Sequence, residues 1–358
     1  MYKISKIITS SEKENISKGK VLVIYTGGTL GMIYDKESES LIPFDFKQIP
    51  ENMPEISRFN FEISVITFDT LLDSSNMKPQ NWVEIAEIIE EYYQDFDSFV
   101  VLHGTDTMAY TASAISFMLI GLAKPVVFTG SQLPIGIART DAKENFITAL
   151  EISLAKKNGQ PTVPEVCIYF NSVLLRGNRS RKHESQQFDA FSSENYPNLA
   201  TVGVTIDFNF PYIRSNKLGE KLKLHKKLNE NVAILKLFPG ITENLIQNIL
   251  ATKNLKGVVL ETFGAGNAPT DTWFFELIEK AIQNEIFIVN ISQCIGGSVT
   301  QGNYETSHQL SKLGVLSGAD LTTEAAICKL MVVLGMELDF LDARNMFSQN
   351  FAGEFTTV

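Results

Sequence analysis

Two short segments, Thr26-Gly-Gly-Thr29 and His103-Gly-Thr-Asp-Thr107, combine hydroxyls, glycines and a carboxylate at spacings that suit acyl transfer. The glycines before Thr29 let the backbone approach a substrate carbonyl and donate N–H groups to its developing oxyanion, which favours Thr29 as a nucleophile. A threonine hydroxyl is inert until a base removes its proton. Thr105 and Asp106 with a lysine would supply a hydroxyl, an orienting carboxylate and an amine, a triad without histidine. Lys182, in Arg176-Gly-Asn-Arg-Ser-Arg-Lys182, is the candidate amine, although taken alone it reads first as a solvated surface charge. Gly27, Gly28 and Gly31 would also suit a phosphate cradle at a helix start. The P-loop Lys-Ser/Thr is absent, however, the spacing is not G-x-G-x-x-G, and no acidic residue follows at roughly 20 residues. No cofactor is expected.

The elements that must position these residues are runs of β-formers alternating with helical patterns. Val21 to Tyr25, Glu62 to Phe68, Ser98 to Leu102, Pro125 to Thr129 and Glu165 to Phe170 read as strands. Trp82, Ile85, Ala86, Ile89 and Tyr93 mark one face of a helix opened by Pro79. Alternation of this kind specifies a mostly parallel sheet with flanking helices, and the first polar residues after each strand then gather at its carboxyl edge, where such folds bind ligands. The fold class is therefore α/β, with a larger N-terminal parallel-sheet domain at 20–211, a charged linker at 212–231, and a smaller C-terminal α/β domain at 232–358. In the smaller domain the strands are Val232 to Leu237, Gly257 to Leu260 and Ile286 to Ile291, with helices near Thr242 to Ala251, Thr272 to Gln283 and Thr322 to Leu334.

Composition narrows the partners. A net charge of -10 without a long Lys/Arg run argues against nucleic acid and anionic membranes, so a small molecule is the expected partner. Met1 to Lys20 is polar and charged, which reads as neither a secretory signal nor a membrane span and places the chain in the cytoplasm. Cys167, Cys294 and Cys328 are scattered, as reduced thiols are, and the four histidines lack metal-ligand spacing, so no metal is expected. His103 reads as a packed strand-end residue.

The motifs Tyr-Thr-Gly-Gly-Thr-Leu-Gly at 25–31, Asp-Ser-Ser-Asn-Met at 73–77, His-Gly-Thr-Asp-Thr-Met-Ala-Tyr-Thr-Ala at 103–112, Arg-Gly-Asn-Arg-Ser-Arg-Lys at 176–182 and Phe-Gly-Ala-Gly-Asn-Ala-Pro at 263–269 resemble, in order, those of the bacterial-type L-asparaginases, and of their cytoplasmic type I branch in particular. The resemblance implies that Thr29 attacks the side-chain amide of L-asparagine, releases ammonia and leaves a β-aspartyl enzyme for water to hydrolyse. Thr105, Asp106 and Lys182 match the second catalytic group. Ser74, with Ser75 beside it, matches the site for the substrate α-carboxylate, and Asp106 also takes the α-ammonium. Asn267 matches a residue lent to a neighbouring subunit's site, which implies a homodimer or homotetramer. A broader glutaminase-asparaginase, the amidase subunit of a tRNA-dependent amidotransferase and a non-catalytic amino-acid sensor are the alternatives. Intact Thr29, Thr105, Asp106 and Lys182 argue against the sensor.

Two departures from the family pattern stand out. The family's lid tyrosine aligns with Leu41, leaving Tyr34 as a possible substitute. An effector pocket of some type I members, built from a threonine, an arginine and a cysteine, is matched by Arg181, Glu261 and Cys294, so an arginine that would clamp a carboxylate has become an anion. The expectation is a degenerate effector site in which Arg181 and Glu261 either form an ion pair or both point to solvent, each of which removes the carboxylate clamp.

Overall fold

Long apolar runs without alternation are strands buried on both faces, and the strand that leads to Thr29 has this character, with residues 21–27 all buried. The computed structural model describes residues 2–8, 19–35, 40–43, 53, 55–56, 59, 61–215, 221–300 and 305–356. Contacts divide the chain into two compact units, one of Met1–Ser193 with Pro197–Leu224 and the other of Glu194–Tyr196 with His225–Val358.

In the first unit the elements run β1 (Tyr2–Ile8), β2 (Lys20–Gly27), β3 (Met32–Asp35), β4 (Ser40–Pro43), β5 (Glu62–Leu72), α1 (Pro79–Glu91), β6 (Ser98–Leu102), α2 (Met108–Met118), β7 (Leu119–Ile120), β8 (Val126–Thr129) and α3 (Ala142–Leu154). They continue with β9 (Lys156–Lys157), β10 (Gln160–Pro161), β11 (Val166–Phe170), β12 (Val173–Arg176), β13 (Arg181–Lys182), β14 (Phe191–Ser192), β15 (Ala200–Val202), β16 (Ile206–Phe208) and β17 (Lys223–Leu224). The main sheet has the order β1-β5-β2-β6-β8-β11-β12-β15-β16. Its centre, β5-β2-β6-β8-β11, is parallel. Because β5 lies on one side of β2 and β6 on the other, the strand order reverses there, and a crevice opens at the carboxyl ends of β2 and β6.

The sheet is more mixed than the sequence suggests. β1 runs antiparallel to β5 within a stretch whose sequence shows no apolar run. β12 folds back on β11 through Asn171 and Ser172, whose φ values of 44° and 68° are those of a tight hairpin turn. The segment carrying Lys182 therefore leaves β12 rather than the fifth parallel strand. Within the stretch read as a linker, Lys223–Leu224 pair with Leu119–Ile120. Helix α1 forms as expected, with Pro79 at its start, Asn81 accepting from the Lys78 N–H, and Trp82, Ile85, Ala86 and Ile89 buried.

The second unit holds β18 (Val232–Lys236), α4 (Glu243–Leu250), β19 (Gly257–Thr262), α5 (Thr272–Gln283), β20 (Phe287–Ser292), α6 (Glu305–Leu313), β21 (Leu316–Ser317), α7 (Thr323–Gly335) and α8 (Phe340–Ser348). Its four strands are parallel in chain order. Leu235, Val258, Leu260, Phe274, Ile278 and Ile288 form the core between sheet and helices. Asn195 is bound here in both directions, accepting from the Gly297 N–H at 2.7 Å and donating to the Gly297 and Asp320 carbonyls at 2.9 and 3.2 Å. The carboxyl-terminal segment is fastened by charge: Lys329 and Glu354 pair with both side chains at 0% exposure, and the ammonium lies 4.7–4.9 Å from the ring centroids of Phe347, Phe351 and Phe355. Removing one member of such a pair strands the other in a low-dielectric interior. Lys329→Met is expected to lower unfolding stability by about 3–5 kcal/mol, and adding Glu354→Gln to recover at least half of that; urea unfolding of the single and double variants measures both.

Candidate active site

The sheet brings four of the sequence-identified residues into direct contact. The Lys182 ammonium donates to Thr105 Oγ1 and to Asp106 Oδ1, each at 2.7 Å. Ser74 Oγ accepts from the Asp106 N–H at 3.3 Å, while the Ser74 carbonyl accepts from Thr107 Oγ1 at 2.7 Å. Thr107, which the sequence reading left without a role, thus ties the β5 end to the β6 end. The Lys182 side chain is 17% exposed whereas that of Asp106 is 60% exposed, so the amine is sheltered and the carboxylate keeps an open side. Ser74 is buried, and its neighbour Ser75 points outward while its N–H bonds the Asp73 carboxylate at 3.0 Å.

Thr29 reaches the same crevice because glycine backbones allow its turn to close on the next strand. Gly28 has φ 90°, and a Cβ there would fall 2.6 Å from the Gly104 nitrogen; a Cβ on Gly104 would fall 2.6 Å from Ser74 Oγ. Thr26 Oγ1 donates to the Leu102 carbonyl at 3.0 Å, locking the parallel neighbours together before the turn. Thr29 is half-buried at the start of a 3-10 turn spanning Thr29–Gly31.

Lys182 is delivered by a buried ion pair that the sequence reading missed. Arg176, at the end of β12, pairs with Glu165 just before β11, the two side chains being 4% and 3% exposed. Glu165 Oε1 also accepts from the Arg214 N–H at 2.9 Å. Ser180 Oγ donates to the Arg176 carbonyl at 2.6 Å, which sets the turn into β13 and Lys182. The available signal was a glutamate flanking an apolar strand with an arginine closing the next.

His103 is neither a ligand nor exposed. Its Nδ1 lies 2.7 Å from the Gly104 carbonyl and so carries the proton, and its Nε2 accepts from Thr111 Oγ1 at 2.9 Å, which in turn accepts from Trp82 Nε1 at 3.1 Å. Burial lowers its pKa from 6.5 to about 4, against the opposing pull of the Gly104 carbonyl.

Tyr34 and Leu41 are paired across the β3–β4 ladder, and residues 36–39 between those strands lie outside the described residues. Arg181 sits on β13, paired in register with Ser192. Asn267, Glu261 and Cys294 belong to the second unit. Asn267 closes a tight turn through reciprocal backbone bonds with Phe263 at 2.8 and 2.9 Å. Glu261, at 6% exposure, accepts from Thr323 Oγ1 at 2.6 Å and pairs with Lys236 at 3.4 Å. These partners come from its own unit. Cys294 is exposed on the loop after β20. A groove of about 440 Å³ between β5 and α1 is lined by Asp69, Glu84, Glu87 and Glu91 and holds none of the catalytic candidates.

Hydroxyls, one lysine and one carboxylate gathered at the carboxyl edge of a parallel sheet make an α/β site suited to acyl transfer, and the family model and relatives place it among the amidohydrolases. The chain belongs to the asparaginase family: residues 20–214 match the model "Asparaginase, N-terminal" and residues 231–347 the "Glutaminase/Asparaginase C-terminal domain". It is 38% identical over 343 residues to L-asparaginase 1 of Escherichia coli, covering 95% of this chain and 99% of that one. Among solved structures, L-asparaginase I from Vibrio cholerae superposes with a TM-score of 0.85 at 35% identity, covering 95% of this chain and 99% of that one. The thermostable L-asparaginase from Thermococcus kodakarensis gives 0.84 at 32% identity, covering 95% and 100%.

The neutral His103 carries a prediction for stability. Its folded pKa lies below the unfolded value, so the unfolded chain takes up a proton first as pH falls through 6.5 and stability declines until about pH 4. About 3 kcal/mol is at stake. Urea midpoints measured near pH 7 and pH 4.5 should fall less for His103→Gln than for the parent, and equal falls would show that the imidazole ionises freely in the folded protein.

Proposed function

We propose that the protein hydrolyses L-asparagine to L-aspartate and ammonia, with Thr29 as nucleophile. The observation that carries this reading is the Lys182 nitrogen at 2.7 Å from both Thr105 Oγ1 and Asp106 Oδ1. Thr29 Oγ1 attacks the side-chain amide carbon and forms a β-aspartyl ester. Ammonia departs with the proton released by the hydroxyl, and water then adds to the ester, freeing aspartate and regenerating Thr29. Lys182 and Thr105 move the protons along a contact already at hydrogen-bond length. Ser74 binds the α-carboxylate through its hydroxyl proton, its oxygen being engaged by the Asp106 N–H. Asp106 holds Lys182 through Oδ1 and receives the α-ammonium on its open side.

Further parts of the reading rest on position. Residue 34 stands directly across the hairpin from residue 41, so a tyrosine at 34 occupies the neighbouring place on the same ladder as the family's lid position. Asn267 serves a neighbouring subunit's site in a homo-oligomer. A cytoplasmic setting, where thiols stay reduced, suits Cys167, Cys294 and Cys328, none of which is in a disulfide, and no described helix is long and apolar enough to cross a membrane. Effector binding is lost, because position 261, where the family pattern has a carboxylate-clamping arginine, carries a buried glutamate engaged by Lys236 and Thr323. Glutamine turnover is the second reading, favoured by the description of the C-terminal family model.

Ammonia release from both amides, measured side by side, tests the substrate. Thr29→Ala and Lys182→Met should lose at least about a thousandfold in turnover while keeping the parent's thermal midpoint, and Ser74→Ala should chiefly raise KM. Retained activity in either of the first two overturns the assigned roles. The parent's rate against asparagine concentration should be hyperbolic with a Hill coefficient near one, and sigmoidal kinetics abolished by Cys294→Ala would restore the effector site. Full specific activity in a sedimenting monomer would remove the role of Asn267.

A further inference from the structure

Tyr25 has no part in the chemistry above, yet it sits beneath the nucleophile turn. It lies near the end of β2 at 0% exposure, and its phenol donates to the Gly31 carbonyl at 2.9 Å. Burial pushes the phenol's pKa far above its usual range, which keeps the donor proton on it. Gly31 is shaped by the same ring: a Cβ there would fall 2.2 Å from Tyr25 Cζ and 2.3 Å from its oxygen, so position 31 needs glycine for space.

The path from Tyr25 to Gly31 is anchored at both ends. At the near end Thr26 Oγ1 holds the Leu102 carbonyl, and Gly27 lies against the Leu72 backbone, where a Cβ would fall 2.2 Å from the carbonyl oxygen. At the far end the Met32 N–H returns to the Thr29 carbonyl, and the Gly31 carbonyl is taken by Tyr25. Strand β3 begins at the next residue. Gly31 is thus the joint between the turn that carries Thr29 and the β3–β4 hairpin.

We propose that Tyr25 is a positioning residue for the hydrolysis: its phenol fixes the Gly31 carbonyl and aims the Thr29 hydroxyl. The inference rests on the reading of Thr29 as nucleophile. A displacement of about 1 Å at a reacting atom is enough for a roughly hundredfold loss in rate, so one hydrogen bond beneath the turn has leverage on turnover that it lacks on substrate binding.

Tyr25→Phe keeps the ring and removes the donor. In asparagine hydrolysis it should lower kcat by about tenfold or more, change KM by less than about threefold, and leave the thermal midpoint within a few degrees of the parent. Single-turnover measurements should place the loss in formation of the acyl-enzyme. Gly31→Ala, which forces the ring aside, should show the same split between kcat and KM. A Tyr25→Phe enzyme with the parent's kcat overturns the proposal, as does a loss that follows the folded fraction or falls on KM. Thr29→Ala is assayed in parallel: turnover in that variant removes the nucleophile reading and this inference with it, whereas an inert Thr29→Ala beside a fully active Tyr25→Phe refutes the positioning role alone.

Discussion

The site depends on one close approach of backbone to backbone, where the turn after β2 meets the turn after β6. Gly28 faces the Gly104 nitrogen at a distance no side chain could occupy, and Gly104 faces Ser74 in the same way. Three strand ends are thereby drawn together at the point where the strand order reverses. Thr29, Thr105, Asp106 and Ser74 are each within a few residues of that contact, so their placement follows from main-chain packing rather than from long side chains reaching inward. Lys182 is the exception, and its delivery needs the hairpin of β11 and β12 and the Glu165–Arg176 pair at the base of its turn.

Much of this was legible in the sequence because the central strands are apolar on both faces. Val21 to Tyr25 and Ser98 to Leu102 announce themselves by composition, and the polar residues that follow them mark the crevice. Helix α2 did not announce itself: its buried residues include Met108, Ala109, Ala112, Ala114, Ile115, Phe117 and Met118, which lie all around the helix and leave no amphipathic stripe to detect. The β11–β12 hairpin was hidden because its turn is Asn171-Ser172 and lacks the glycine that usually marks one. Glu261 shows another limit. Its burial follows from its place at the end of β19, but its partners, Lys236 and Thr323, come from residues distant in sequence that only the fold assembles.

Buried charge is used in both units to fix the ends of the chain's excursions. Glu165 and Arg176 hold the entrance to the Lys182 turn, and Lys329 and Glu354 hold the carboxyl-terminal segment within three phenyl rings. Such pairs add little net stability compared with well-packed apolar residues, but breaking one leaves an uncompensated charge. They specify one arrangement of segments that have little regular structure of their own.

The clamp on Asn195 has a consequence for how the chain can be dissected. Glu194–Tyr196 packs with the second unit, although residues on either side of it belong to the first. The chain therefore passes from one unit to the other three times, not once. Cutting the gene between Leu224 and His225 yields a C-terminal fragment without the amide that brackets Gly297 and the Asp320 carbonyl, while the N-terminal fragment carries three residues cut off from the groups they bind. The units are compact in space but interleaved in sequence, so the smaller one is not a single contiguous segment and replacing it whole includes Glu194–Tyr196, just after β14.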